Sequence, residues 1–202
     1  MNHSETTLKR VLFPALVILD RDGVINEDSK HYIKSADEWI PIPGSLEAIA
    51  KMSNAGIKVG IATNQRGISL GLYGHNELTE MHEKMKALLN DLGAEIHAIE
   101  FCTADDAAHP DRKPNPGMLL KIMQQLEMPK EAVIYFIGDK ISDIEAAHNA
   151  GVIPVLVRTG NGIKSEEKLQ RQDHTTSTNK HDKLIVVDDL AAFADAIVQP
   201  GI

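Results

Sequence analysis

Cysteine is almost absent: Cys102 stands alone in 202 residues, which excludes an intrachain disulfide and leaves no Cys-x-x-Cys pair for a structural zinc. Positive charge is also in deficit. With 21 Lys and Arg against 29 Asp and Glu the formal net charge is -8, which argues against general nucleic-acid binding, because backbone recognition draws on clustered cations. Any anionic ligand must therefore meet locally gathered positive charge. No apolar run approaches the roughly 18 residues of a membrane span. The run Val11 to Leu19 behind Lys9-Arg10 is broken by Pro14, leads directly into Asp20-Arg21-Asp22 and lacks a small-residue cleavage site. It is expected to be a core strand of a cytoplasmic protein, not a secretory leader or a membrane segment.

The residues that are abundant suit one globular domain over 1–202, 43% apolar and 25% charged. Short β-rich runs recur at Leu16–Leu19, Lys58–Ala62, Ile96–Phe101, Val133–Ile137, Ile153–Val157 and Leu184–Val187. Between them, apolar residues at three- and four-residue intervals predict helices over Ser45–Asn54, His75–Leu92, Pro116–Leu126, Ile141–Ala150 and Asp188–Val198. This alternation predicts an α/β, Rossmann-like, mostly parallel sheet with helices on both faces and ligands beyond the strands' carboxyl ends. Two polar excursions interrupt the rhythm. Asn26–Pro43, which holds the only tryptophan, is expected to form a flap after the first strand, and Asn161–Lys183 a mobile surface loop. No insert is long enough for a large cap domain.

Polar signals fall at the predicted strand ends. The first strand ends Asp20-Arg21-Asp22-Gly23, and in extended geometry its two carboxylates project to the same side. An isolated Asp-x-Asp is better explained by a loop cap beside a solvated acid, and the later strand ends change that balance. After the second strand, Thr63-Asn64-Gln65 offers a hydroxyl and turn amides suited to phosphoryl oxygens, or simply a turn. Arg112-Lys113 precedes a helix whose amino end also favours an anion. The fourth strand ends Gly138-Asp139-Lys140, with Asp143 one helical turn on; Asp139 alone would be read as a helix cap.

An acid pair, a hydroxyl, a lysine and a second acid pair, in this order over Val17 to about Arg158, resemble the four signature motifs of the haloacid dehalogenase superfamily. Asp20-Arg21-Asp22-Gly23-Val24-Ile25-Asn26, Thr63-Asn64-Gln65, Arg112-Lys113-Pro114-Asn115-Pro116-Gly117-Met118 and Gly138-Asp139-Lys140 look like its branch of heptose-bisphosphate and histidinol phosphatases, and Gly67-Ile68 with Gly71 favours the heptose side. The resemblance implies a magnesium-dependent phosphatase acting on a small phosphorylated metabolite, a sugar bisphosphate, as a monomer. Asp20 would be the nucleophile and Asp22 the general acid and base, while Thr63, Asn64 and Lys113 cradle the phosphoryl group. Asp20, the carbonyl of Asp22 and Asp139 would ligate the metal, with Asp143 behind them orienting water or Lys140. Lys113 would also favour ionised Asp20. Gln65, Arg66, Arg112, Lys140 and the flap residues Asp28, His31 and Tyr32 are candidate substrate contacts.

The pattern breaks at two places. Bacterial heptose enzymes of this kind carry a cysteine-rich zinc loop, whereas Phe101–Asp111 offers only Cys102 and His109. Two ligands are too few for structural zinc, so Cys102 is expected in the core and His109 on the surface, with no zinc. Arg66 stands where the relatives have a small residue, and with Arg112 it could meet an uncleaved phosphate. Two further readings remain open: a receiver-like domain that accepts phosphate on Asp, and an inactive binding protein.

Overall fold

The computed structural model describes residues 12–173 and 184–198. Six strands form one parallel sheet: β1 (Leu16–Leu19), β2 (Lys58–Asn64), β3 (Ala98–Cys102), β4 (Ile134–Gly138), β5 (Ile153–Val157) and β6 (Ile185–Val187). Their order across the sheet is β3-β2-β1-β4-β5-β6. The connecting helices are α1 (Ser45–Asn54), α2 (His75–Asp91), α3 (Gly117–Gln125), α4 (Ile141–Ala150), α5 (Gly162–Asp173) and α6 (Leu190–Ile197).

β1 is central and buried along its whole length, so its residues alternate between two cores. Val17 and Leu19 pack with α1, α2 and α6, around Ile49, Met81 and Phe193, whereas Leu16 and Ile18 pack with α3 and α4, around Ile122 and Ala147. The chain leaves β1 towards β2 and β3, then returns to place β4 on β1's other side. Strand order thus reverses between β1 and β4, and crevices for ligands open beyond the carboxyl ends at such a reversal.

Strand and helix boundaries differ from the sequence expectation by a residue or two, with two consequential exceptions. β2 continues through Thr63 and Asn64, which places both on the strand rather than on a turn after it. The expected loop from Asn161 instead begins with α5. Its buried face is small: Ser165 and Leu169 face inward one turn apart, while Ile163 is exposed. Arg158 holds the helix from outside through Glu166, at 2.7 and 2.9 Å. One apolar contact is too weak a periodic signal to predict a helix. The rest of that expected loop, 174–183, lies outside the described residues, as do Lys9, Arg10 and Val11. Among the described residues no helix is long and apolar enough to cross a membrane.

The excursion between β1 and α1 contains neither a long helix nor a paired strand, and is held down from within and from α2. Trp39 is completely buried in the α1/α2/α6 core. Lys84 on α2 donates to the carbonyls of Ala36 and Trp39 at 2.7 and 2.9 Å. Hydrogen bonds with a charged partner contribute about 1.5–3 kcal/mol each. Lys84→Met is therefore expected to loosen this segment without altering the sheet: limited proteolysis should cut faster within 34–41 while the far-ultraviolet circular dichroism spectrum stays unchanged. Unchanged cleavage would show that Lys84 does not hold the flap.

Candidate active site

β1 and β4 run side by side with Leu19 opposite Ile137, so the residues that follow them, Asp20 and Asp139, emerge next to one another. Asp143, on the first turn of α4, completes a cluster: one carboxylate oxygen from each of Asp20, Asp139 and Asp143 lies within 4.8 Å of the others, and all three residues are buried. Lys113 enters from the loop before α3. Its ammonium pairs with Asp20 Oδ1 at 2.9 Å and Asp143 Oδ1 at 2.8 Å and donates to the carbonyl of Ala62 at 3.0 Å. Asn64 fixes the backbone of Lys113 by accepting from its N–H at 3.1 Å and donating to its carbonyl at 3.2 Å.

Asp139 is held asymmetrically. Its Oδ2 accepts from the backbone N–H and the side-chain amide of Asn161, at 2.8 and 3.1 Å. Its Oδ1 is buried with no hydrogen-bond partner among the described residues, and the Lys140 ammonium is 3.8 Å away. A buried anionic oxygen without a donor, beside two other carboxylates, is the donor set a hard divalent cation requires. Gly23 allows this crowding: its φ is 89°, and a Cβ there would collide with the Asp139 carboxylate.

Asp22 points into a second network. Arg21, wholly buried beneath the site, donates to Asp22 Oδ1 from Nε and Nη2 at 3.1 and 3.0 Å, and from Nη2 to Gln65 Oε1 at 3.2 Å. Asn26 donates to Asp22 Oδ1 at 2.9 Å, and Gln65 donates to Asp22 Oδ2 at 3.0 Å and to Thr63 Oγ1 at 2.8 Å. The Tyr73 hydroxyl closes the chain on Gln65 Oε1 at 2.5 Å. Asp22 is therefore fixed from several sides.

These environments separate the carboxyls. Burial raises the pKa of Asp20 above its ordinary value; Lys113 favours the ionised form, as expected, but only partly opposes the burial. Burial would also raise Asp22, but Arg21 and the hydrogen bonds from Asn26 and Gln65 outweigh it and lower its pKa. Burial pushes Asp139 up to about 7 against the pull of Lys140. Lys113 would be lowered by burial, yet Asp143 and Asp20 more than offset this and raise it.

A cleft of about 200 Å³ opens above, lined by Asp22, Asp28, Ser29, Tyr32, Ile33, Asn64, Gln65, Tyr73 and Lys140. The structure thus brings Asp20, Asp22, Thr63, Lys113, Asp139 and Asp143 together, with Asp28, Tyr32, Asn64, Gln65 and Lys140 at the opening. Three candidates do not line the cleft: Arg66 is paired with Asp105 and interacts with Tyr32 at the cleft's edge, Arg112 donates to the carbonyl of Ala104 at 2.6 Å, and His31 is exposed. Cys102 is in the core, as expected, but His109 is half-buried rather than on the surface, 3.7 Å from the Cys102 sulfur. Sequence reasoning missed Arg21, Asn26, Tyr73 and Asn161. Only Arg21 carried a signal, since strand alternation turns the residue between two outward aspartates towards the core.

Comparisons with known proteins agree with this geometry. Residues 3–157 match the family model described as haloacid dehalogenase-like hydrolase. The chain is 44% identical over 186 residues to a D-glycero-β-D-manno-heptose-1,7-bisphosphate 7-phosphatase of Pseudomonas aeruginosa, covering 92% of this chain and 98% of that one. It is 40% identical over 185 residues to the enzyme of the same name from Bordetella bronchiseptica, covering 91% and 98%. Among solved structures, a D,D-heptose 1,7-bisphosphate phosphatase from B. bronchiseptica complexed with magnesium and phosphate superposes with a TM-score of 0.82 at 39% identity, covering 91% of this chain and 98% of that one.

The raised pKa of Asp139 has a consequence for stability. Between its unfolded value near 3.8 and about 7, the folded protein keeps a proton that the unfolded chain has released. The contribution of this group to folding stability therefore declines as pH rises through that window, by no more than about 1.4 kcal/mol per pH unit. In chelator-treated protein, Asp139→Asn should gain more stability relative to wild type at pH 7.5 than at pH 5, measured by urea unfolding. An equal difference at both pH values would show that Asp139 ionises freely in the fold.

Proposed function

Because the chain belongs to the haloacid dehalogenase-like hydrolase family and is a phosphatase, we propose that it hydrolyses the 7-phosphate of a D-glycero-D-manno-heptose 1,7-bisphosphate. Asp20 is the nucleophile and magnesium the cofactor. The convergence of Asp20, Asp139 and Asp143 on one buried space beside Lys113 carries this reading. The heptose substrate is supported by relatives of that name at 40–44% identity over nine-tenths of the chain.

Asp20 and Asp139, with the carbonyl of Asp22, would hold the ion, and Asp143 would stand behind them, receiving Lys113 and the backbone N–H of Lys140. Magnesium bound there would neutralise phosphoryl oxygens, so that one anion can approach another. The remaining steps belong to the protein. Lys113 keeps a positive charge against Asp20, which favours the ionised form that attacks phosphorus. Thr63 and Asn64, at the end of β2, flank the transferring group. Asp22 donates a proton to the departing sugar oxygen and later accepts one from the water that opens the aspartyl phosphate. Arg21, Asn26 and Gln65 hold Asp22 in the ionised form that the second step uses. The first step needs a proton on Asp22, and a phosphate dianion facing it raises its proton affinity.

On the sugar side, Lys140, paired with Asp28 at 3.1 Å, is the one cation lining the cleft among the described residues, so we assign it, rather than Arg66 or Arg112, the contact with the uncleaved phosphate. Asp28, Ser29 and Tyr32 supply groups for sugar hydroxyls. We place the reaction in the cytoplasm, in a monomer of one domain.

Phosphate release should be measured with magnesium and with chelator on heptose 1,7-bisphosphate, histidinol phosphate and common hexose phosphates. The heptose bisphosphate should have the highest kcat/KM, and chelator should abolish turnover. Asp22→Ala should slow it by about a hundredfold to ten-thousandfold, and Asp20→Asn should be nearly inactive. Near-normal turnover by Asp20→Asn refutes the mechanism, and preference for histidinol phosphate refutes the substrate.

A further inference from the structure

Asn161, in the loop between β5 and α5, joins two parts of the site. Its side-chain nitrogen donates both to Asp139 Oδ2, at 3.1 Å, and to Asp28 Oδ2 on the flap, at 2.9 Å, while its backbone N–H takes the same Asp139 oxygen at 2.8 Å. Both donors of the amide are thereby used. Asp139 Oδ2 is satisfied twice, and Oδ1 remains buried with no hydrogen-bond partner among the described residues.

The loop is pressed onto this arrangement from several sides. Thr159 donates to the carbonyl of Gly23 at 2.7 Å. Gly160 has a φ of 57°, and a Cβ there would lie 2.7 Å from Gly23 Cα and collide with Asp139 Oδ2. From the first turn of α5, Ser165 donates to the Asp139 carbonyl at 2.8 Å. The two oxygens of a free carboxylate exchange by rotation about a soft torsion. Here, both donors on one oxygen leave only the other to face Asp20 and Asp143.

We propose that Asn161 is a positioning residue: it presents Oδ1 of Asp139 to the cation and, through Asp28, ties the flap to that orientation, so that cation binding and flap order strengthen each other. This rests on the reading that the buried carboxylates hold a divalent cation. The coupling is reciprocal by thermodynamic necessity: whatever cation binding does for the flap, flap order does equally for cation affinity. Partners that orient metal ligands in this way contribute about tenfold to a hundredfold in affinity.

The test uses the full chain and Mn²⁺ alone, with free ion counted by electron paramagnetic resonance. Asn161→Ala should weaken Mn²⁺ binding at least about tenfold. Asp28→Ala should weaken it less, and the double variant should match Asn161→Ala, because the bridge is already broken. If Asp28 acts only through its charge, its effect is the same size in both backgrounds, and the tie to the flap is overturned. As a second readout, Mn²⁺ should slow limited proteolysis of the flap in wild type but not in Asn161→Ala. Wild-type Mn²⁺ affinity in Asn161→Ala overturns the positioning role while leaving the cation site intact. Failure of wild type to bind Mn²⁺ overturns the site reading itself. If Asn161→Ala loses its cooperative thermal transition, Asn161→Ser, which keeps a short polar side chain, takes its place with the same expected weakening.

Discussion

Asp20, Asp139 and Asp143 are confined to one buried space in which Lys113 bridges only Asp20 and Asp143, while Lys140 comes no nearer than 3.8 Å to Asp139. Negative charge held this way is costly, and a buried group responds by retaining its proton or by finding a countercharge. The raised pKa values of Asp20 and Asp139 are the first response. Cation binding would be the second, converting the strain of the cation-free protein into affinity. The protein therefore forgoes some stability at a place where chemistry requires unbalanced charge.

The fold makes this crowding possible by distributing its cause. No single segment contains all the charges: Asp20 comes from β1, Asp139 and Asp143 from β4 and α4, and Lys113 from the approach to α3. Each element is anchored by its own apolar packing, on one or other face of the sheet, so that local repulsion is opposed by cores well away from the charges. Asp22 experiences a different field. Arg21, facing inward between two outward residues, supplies a fixed cation on one side only, and so two neighbouring carboxyls acquire opposite shifts.

Much of this was legible in the chain. β1, β5, α1 and α4 lie at the expected boundaries because hydrophobic period and flanking glycine, proline or acid agree there. The acid pairs after β1 and β4 could be paired in advance, since strand order places both at one end of a parallel sheet. Legibility ended where meaning is tertiary. α5 buries too little apolar surface to leave a pattern, and Asn161 became a site residue only because two distant acids converge on its amide. The arginines have partners that the sequence does not reveal: Arg66 pairs with Asp105, and Arg112 donates to the Ala104 carbonyl.

Lys113 is already surrounded by acceptors: Asp20 and Asp143 pair with its ammonium at 2.9 and 2.8 Å, and it donates to the Ala62 carbonyl at 3.0 Å. A phosphoryl oxygen entering there would compete with these incumbents. The carbonyl is the one that carries no net charge of its own, so its Coulombic hold on the ammonium is the weakest. An anionic group would be favoured in that exchange over an uncharged ester or alcohol, so the ammonium proposed to aid the reaction would also discriminate among what reaches it.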